Sequence, residues 1–337
     1  MATKHRNPSQ EQRQAAVPEY SPRSAGRGST FVRQFLGACG FLLPNLLGFL
    51  VFTLVPVVAA MLLSFVRWDA ISPWQEARWV GIHNYVDILG FHRDPATGAL
   101  TPNDDRFWYY LYNTVFLMLG VPVGMALSLV TALLLNRPLR GVVIFRTIFF
   151  IPTVCSAVAV AVLWRWIYQP DYGLLNELLR LAGIENPPNW LGDPAWAKPA
   201  LILMGLWVGV GGYNCVLYLA GLQNIPEELY EAARLDGASW WARLTRITWP
   251  LLAPTTFFIL ITSIISGFQG FFVGVHIMTA GGPAGSTTTL LYHIYQTAFV
   301  YHEMGRASAL AMILFAIVLV LTLINWRYGR EAAQIIY

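Results

Sequence analysis

Charge is scarce in this chain: only 12% of its 337 residues are Asp, Glu, Lys or Arg, about half the roughly one-quarter share of an ordinary soluble domain. With 56% of residues apolar, the composition argues against a soluble globule. Lysine is rarer still. Lys4 and Lys198 are the only two, followed by His5 and Pro199, and neither follows a glycine. A phosphate-binding loop needs Gly-Lys-Ser/Thr, whose backbone amides and ammonium cradle the phosphates. The chain has no such loop. Cysteine is nearly absent too: Cys39, Cys155 and Cys215 each sit in an apolar stretch with no second Cys or His at ligand spacing. That excludes a disulfide framework and a zinc site, and the three read as small buried apolar residues.

What is abundant is apolar sequence in runs long enough to cross a hydrocarbon core, which takes about 20 residues. Six such spans are expected, at about 35–66, 110–135, 142–168, 200–222, 251–278 and 307–326. The fold class is therefore all-α and polytopic. Pro44 and Pro56 predict kinks in the first span, and the short join from Asn136 to Gly141 makes spans two and three antiparallel neighbours. The polar stretch 1–33 reads as a disordered tail, and 329–337 as a short C-terminal tail. Six crossings put both termini on one side. That side collects fourteen of the Lys and Arg residues and seven of the Asp and Glu; the other collects eight and eleven. By the positive-inside rule the termini are cytosolic, and the basic pI reflects topology rather than nucleic-acid binding.

Carboxylates are missing from all six spans as drawn, which disfavours coupling to a proton gradient. Arg146 and His276 lie at span edges, where snorkelling or a satisfied polar contact accounts for them. If transport is active, its engine is a separate chain that touches this one in the cytosol.

The longest cytosolic connection, 223–250, is the place for that contact. Asn224, Pro226 and Glu227 carry helix-start signals, a cap and capping box. Gly237 supplies a left-handed stop, Ser239 caps a second helix, and Pro250 ends it. Two short helices bent at a glycine form a knob that could dock on a soluble partner or rest on lipid as an interfacial hairpin.

The spaced pattern Glu231-Ala232-Ala233, then Gly237, Ile247 and Pro250, resembles the EAA loop of binding-protein-dependent ABC importer permeases. Trp249 stands where that family usually has Leu, and the second Glu331-Ala332-Ala333 lacks the glycine. Gly81-Ile82-His83-Asn84-Tyr85, Phe145-Arg146-Thr147, Phe150-Ile151-Pro152, Gly173-Leu174-Leu175-Asn176 and Gly281-Gly282-Pro283 with Ser286-Thr287 are similar to the carbohydrate branch, which includes the maltose and glycerol-3-phosphate permeases.

The resemblance implies a non-catalytic, type I importer permease that pairs with a second homologous permease. Two ATPase subunits would bind beneath, holding the ATP and Mg, and an extracytoplasmic solute-binding protein would deliver the solute. No cofactor belongs to this chain. Glu231, Ala232, Ala233, Arg234, Asp236, Gly237, Ile247 and Pro250 would make the ATPase-coupling contact.

A sugar needs aromatic faces and amide or hydroxyl groups. Tyr213, Asn214 and Tyr218 in span four and Phe268, Gln269 and Phe272 in span five offer both, although aromatics at helical spacing also serve as packing. Import of glycerol-3-phosphate or a related polar solute is the alternative, and would favour a cation in the pathway. A membrane scaffold or polytopic enzyme is the alternative from another class, but convergent acid, base or metal groups are not evident in the spans.

Overall fold

The computed structural model describes residues 27–137 and 140–334, with side chains between 37 and 327. The chain divides into two compact units, Met1–Ala59 and Ala60–Tyr337. In the first, α1 (Arg27–Phe49) begins inside the segment expected to be a disordered tail; residues 1–26 of that tail lie outside the described residues.

Among the described residues, four helical stretches are long and apolar enough to cross a membrane: Gly37–Leu63, Asp105–Leu135, Ala253–Thr279 and Met304–Arg327. Two bent pairs bring the number to six when each pair is taken as one span. The elements are α1, α2 (Val55–Leu63), α3 (His83–Leu89), α4 (Asp105–Met118), α5 (Gly120–Leu135), α6 (Val142–Val154), α7 (Ala157–Ile167) and α8 (Leu174–Leu181). After them come α9 (Pro194–Gly209), α10 (Tyr213–Gln223), α11 (Glu227–Leu235), α12 (Trp240–Arg243), α13 (Trp249–Leu251), α14 (Ala253–Gln269), α15 (Phe272–Gly274), α16 (Leu290–Tyr295) and α17 (Met304–Gln334). The last of these runs past the expected end of span six and into the expected C-terminal tail, whose final residues 335–337 lie outside the described set. Two small antiparallel ribbons, β1 (Val66–Arg67) with β2 (Arg78–Trp79) and β3 (Phe91–Arg93) with β4 (Leu100–Pro102), follow the first span.

At Pro56 the helix widens rather than breaks, and Gly37–Leu63 is one helical stretch. A π-turn at Leu50–Leu54 precedes the proline, and Val55 N–H reaches back to the Leu50 carbonyl. The widened turn absorbs the hydrogen bond that proline cannot make. Pro250 is treated the same way: a π-turn at Leu244–Thr248 precedes it, Trp249 N–H donates to the Leu244 carbonyl, and the helical path continues through Leu251. The stop expected at Pro250 is thus replaced by a bulge.

Spans three and four are broken rather than straight. The pair α6 and α7 bends by 97° at Cys155 and Ser156, both in extended conformation, and the pair α9 and α10 bends by 41° at Val210–Gly212. Along α6 Pro152 is the one buried residue, so spans two and three, expected as antiparallel neighbours, touch without burying much of each other. Instead α5 packs against α9 and α10.

Three buried clusters hold the second unit together. One joins Leu117, Trp164, Tyr168, Leu201 and Val275. Another, beside the 223–250 connection, joins Leu135, Cys215, Tyr218, Leu222, Leu252 and Ile259. The third joins Ile88, Phe107, Phe268, Leu290 and Leu310. Of the cysteines, only Cys215 is buried; Cys39 is partly covered and Cys155, at the break, is exposed.

Opposite the 223–250 connection lies a polar run that the bundle swallows whole. Ser286, Thr287, Thr288 and Thr289 are all buried. Asn113 of α4 donates to the Gly285 and Thr288 carbonyls at 2.9 and 3.2 Å, and Thr114 Oγ1 accepts from Leu290 N–H at 2.9 Å. Two adjacent side chains thereby satisfy backbone groups that would otherwise be buried unpaired.

Candidate functional site: a surface knob and a glycine-lined cavity

The 223–250 connection forms two short helices around Gly237, as its spacing predicts. Gly237 has φ +73°, and the turn closes with Gly237 N–H on the Arg234 carbonyl and Ala238 N–H on the Ala233 carbonyl at 3.1 and 2.8 Å. That is a left-handed C-terminal stop, the conformation for which glycine carries no Cβ penalty. Ser239 Oγ accepts from Ala242 N–H at 3.2 Å and opens the next helix.

The start differs from expectation. Asn224 ends α10 instead of capping α11, because Pro226, in extended conformation, stands at the cap position itself and the chain enters the helical region at Glu227. The Tyr230 and Thr248 hydroxyls, 2.9 Å apart, join the two arms of the knob, and Ile225 and Ile247 seat it against the cluster around Leu222.

Glu231, Ala232, Arg234, Asp236 and Gly237 are exposed, while Ala233, Ile247 and Pro250 are partly covered. Around them stand large apolar side chains with nothing over them: Leu235 is 90% exposed, with Trp240 and Trp241 also exposed. A Leu so fully presented next to acids and arginines is the composition of a contact surface.

A cavity of about 530 Å³ lies where α5, the α6–α7 break, the α9–α10 break and α14 meet. Eight glycines line it, and six of them form pairs four residues apart: Gly120 and Gly124, Gly205 and Gly209, Gly270 and Gly274. Residues at that spacing share a helix face; Gly124, Gly205 and Gly209 leave it open, whereas Gly120 and Gly274 admit the side chains of Ile202 and Met204. The polar lining is neutral: Thr153, Tyr213, Asn214, Thr262, Ser263 and Ser266, without an Asp, Glu, Lys, Arg or His. Asn214 Nδ2 donates to Ser263 Oγ at 3.1 Å.

The two helix breaks touch at this place. Thr153 Oγ1 donates to the Val208 carbonyl at 3.3 Å, and a Cβ on Gly211 would collide with the Phe149 carbonyl. Interrupted helices free backbone groups, which is tolerated at membrane depth only where protein or a polar cavity receives them.

Of the six solute-contact candidates, Tyr213 and Asn214 line the cavity. Tyr218 and Phe268 do not; they are 1% and 3% exposed in packed clusters. Gln269 is exposed but outside the lining, and Phe272 belongs to an aromatic group with His276, Tyr292 and Tyr295. The expectation missed Thr153, Ser266 and the glycine pairs. Their signal was present in the sequence, as small residues repeated at intervals of four.

Two basic side chains complete the picture. Arg146 donates from Nη2 to the Leu135 carbonyl at 2.9 Å, closing the end of α5, and borders a second, mostly apolar cavity of about 760 Å³. Lys198 was placed before span four by sequence, but α9 begins at Pro194 and carries it inside. Its ammonium is buried, bonded to Asn113 Oδ1 at 3.0 Å and set over the Tyr112 and Phe116 rings at 4.7 and 4.9 Å. Near the same end, His293 is buried against Tyr110, with Nε2 unpartnered; burial pushes its imidazole down to about 4.

Residues 120–329, which carry both the knob and the cavity, match the family described as "Binding-protein-dependent transport system inner membrane component". The chain belongs to that family. It is a permease subunit, a non-catalytic, membrane-spanning part of an ABC transporter. A probable ABC transporter permease protein of Bacillus subtilis, YesP, is 36% identical over 87% of this chain and 90% of its own length. The trehalose/maltose permease protein MalF of Thermococcus litoralis is 35% identical over 86% and 92%. The sn-glycerol-3-phosphate permease protein UgpA of Brucella abortus is 33% identical over 86% and 93%. In three dimensions the permease resembles a chain of a bacterial importer of the acidic polysaccharide alginate, with a TM-score of 0.76 over 90% of this chain and 98% of that one, at 23% identity.

Proposed function

We propose that this permease forms, with a second homologous permease, the pathway for a neutral sugar or short oligosaccharide delivered by an extracytoplasmic binding protein. Two separate ATPase subunits bind the ATP and Mg and dock on the knob around Glu231–Gly237. Both termini and the knob face the cytosol, as the Lys and Arg distribution indicates. Relatives named for lactose and for trehalose and maltose transport support the solute class.

The observation that carries the reading is the chemistry of the glycine-lined cavity. It offers hydroxyls, an amide and a tyrosine ring but no charge. Hydroxyl-rich neutral solutes are bound by such groups, whereas a phosphate monoester calls for a cation. ATP-driven closure of the ATPases would move the knob, and with it α10 and α14, changing which end of the cavity is open. Uptake measured in proteoliposomes holding the full importer, with maltose, trehalose, lactose and glycerol-3-phosphate as solutes, tests this. ATP-dependent uptake of a sugar is expected; uptake of glycerol-3-phosphate alone would overturn it. Accessibility of introduced terminal tags from either side tests the orientation.

A further inference from the structure

A second polar cavity lies at the other end of the molecule from the knob. It measures about 710 Å³ and is framed by the segment after the first span and by the start of α17. The frame is tightly built. Asp69 and Glu303 form an isolated antiparallel bridge, Ala70 N–H donates to the His302 carbonyl at 3.2 Å, and Gly305 N–H donates to the Trp68 carbonyl at 3.3 Å. A methyl group on Gly305 would collide with the Val66 carbonyl, so glycine is what lets the strand lie there.

Part of the lining is already engaged in holding the walls. Arg306 pairs with the buried carboxylate of Asp104 at 2.6 Å, and Arg67 with Asp87 at 3.2 Å. The indole of Trp68 is fixed by its own hydrogen bond to the Ser72 carbonyl at 3.1 Å and by edge contact with Trp74. Asn84 is buried and uses only Nδ2 for its bonds to the Ser64 and Val66 carbonyls. Its carbonyl oxygen is left over as an acceptor. Asp69 accepts from Ser72 N–H and Glu303 lies 3.9 Å from Arg306, whereas Gln75, Glu76 and Arg78 line the cavity with no side-chain hydrogen bond or ion pair among the described residues.

Three arginines against four carboxylates leave the cavity close to neutral overall. A strongly anionic or cationic ligand would meet as much repulsion as attraction there. A polyhydroxyl ligand meets donors and acceptors in alternation, with an oriented indole for the apolar face of a pyranose ring. From this geometry we infer a second carbohydrate site, an outer subsite that holds a neutral sugar unit apart from the glycine-lined cavity. The inference rests on the sugar-transport reading and deepens it. A solute longer than one ring would then engage the permease at two places.

The test uses the assembled importer in lipid nanodiscs and photoreactive diazirine derivatives of maltose, trehalose and lactose, with labelled peptides mapped by mass spectrometry. Label is expected on peptides covering 67–87 or 303–306 as well as on those of the inner cavity. The exposed double substitution Gln75→Ala with Arg78→Ala should cut outer labelling about tenfold, the loss expected when polar contacts worth somewhat over 1 kcal/mol are removed. Inner labelling should be unchanged.

Inner label without outer label overturns the subsite. So does outer label that appears only when the binding protein is docked and maps to both proteins, which would make the cavity a protein dock. Label at neither place in an importer that takes up the sugar also overturns it while leaving the transport reading intact. Absence of any sugar uptake strikes the transport reading instead.

Discussion

Thr153 Oγ1 bonds the Val208 carbonyl at 3.3 Å, and this single contact ties the break in the third span to the break in the fourth. Behind it, the absence of a side chain at Gly211 admits the Phe149 carbonyl. The two interrupted helices therefore form one joint rather than two, and the joint sits on the wall of the neutral cavity. The α10 helix leads directly into the knob, so a motion of the knob would have this joint as its route to α6.

Gly209 lines the cavity, and a Cβ built on it meets nothing within 4 Å. Gly209→Ala should raise stability by about 0.5–1 kcal/mol through reduced freedom of the unfolded chain. Gly209→Leu should extend a side chain from that open position into the cavity, so uptake should drop by about tenfold or more while the thermal midpoint in detergent is kept. Uptake that survives Leu at this position would show that the solute does not pass here.

Gly237 holds φ +73° at the bend of the knob. Gly237→Val should cost about 1–2 kcal/mol locally, because a β-branched residue opposes the left-handed region. Association with the ATPases, followed by co-purification, and solute-stimulated ATP turnover should both fall. A variant that assembles and transports normally would falsify the coupling role of this turn.

Lys198 and Asn113 are not equivalent halves of a contact. Lys198→Met leaves one amide oxygen short of a donor, a loss of about 1–3 kcal/mol. Asn113→Leu strands an ammonium among aromatic rings and also releases the Gly285 and Thr288 carbonyls. The Asn113 variant should be the less stable by thermal melting, and adding Lys198→Met to it should recover part of the loss.

His293 is neutral in the folded permease, with its imidazole pushed down to about 4 by burial, helped by nearby Arg306 and Arg106 and opposed by Asp104. Unfolding exposes it to its ordinary value of 6.5. Between those values the unfolded chain binds the proton and the folded one does not, so stability is full above about 6.5 and falls as pH drops toward 4. The loss attributable to this side chain approaches about 3 kcal/mol. Melting curves from pH 7 to 4.5 should show it, and His293→Gln should flatten the slope.

How much of this was legible beforehand follows the range of the forces involved. The apolar runs, the left-handed Gly237 and the Ser239 cap are set by neighbours within a few residues, and they stand where the sequence puts them. The 97° break at Cys155 and Ser156 follows Pro152 by three residues, but the contact it makes with α9 is 55 positions away and has no local signal. Lys198 looked like a residue at the edge of a span because hydropathy counts its charge and cannot see Asn113, 85 positions earlier, waiting with an acceptor. Tyr218 and Phe268 had the right chemistry for a sugar, but the helices turn them into packed clusters. Composition selects the kind of group at a site. Helix rotation, set by all the neighbours together, selects which group arrives.

The inner cavity owes its volume to side chains that are not there. Eight glycines stand in its wall, and at Gly124, Gly205 and Gly209 an added Cβ meets nothing closer than 3.4 Å, so its shape can be edited there by addition alone: a methyl here, a hydroxymethyl there, each narrowing or roughening one patch while the coupling knob is untouched. A scaffold of this kind separates the history of its cargo from the history of its engine. Permeases sharing one drive could diverge in what they carry by the smallest steps the genetic code allows, glycine to alanine or serine, with no need to rebuild a charged site.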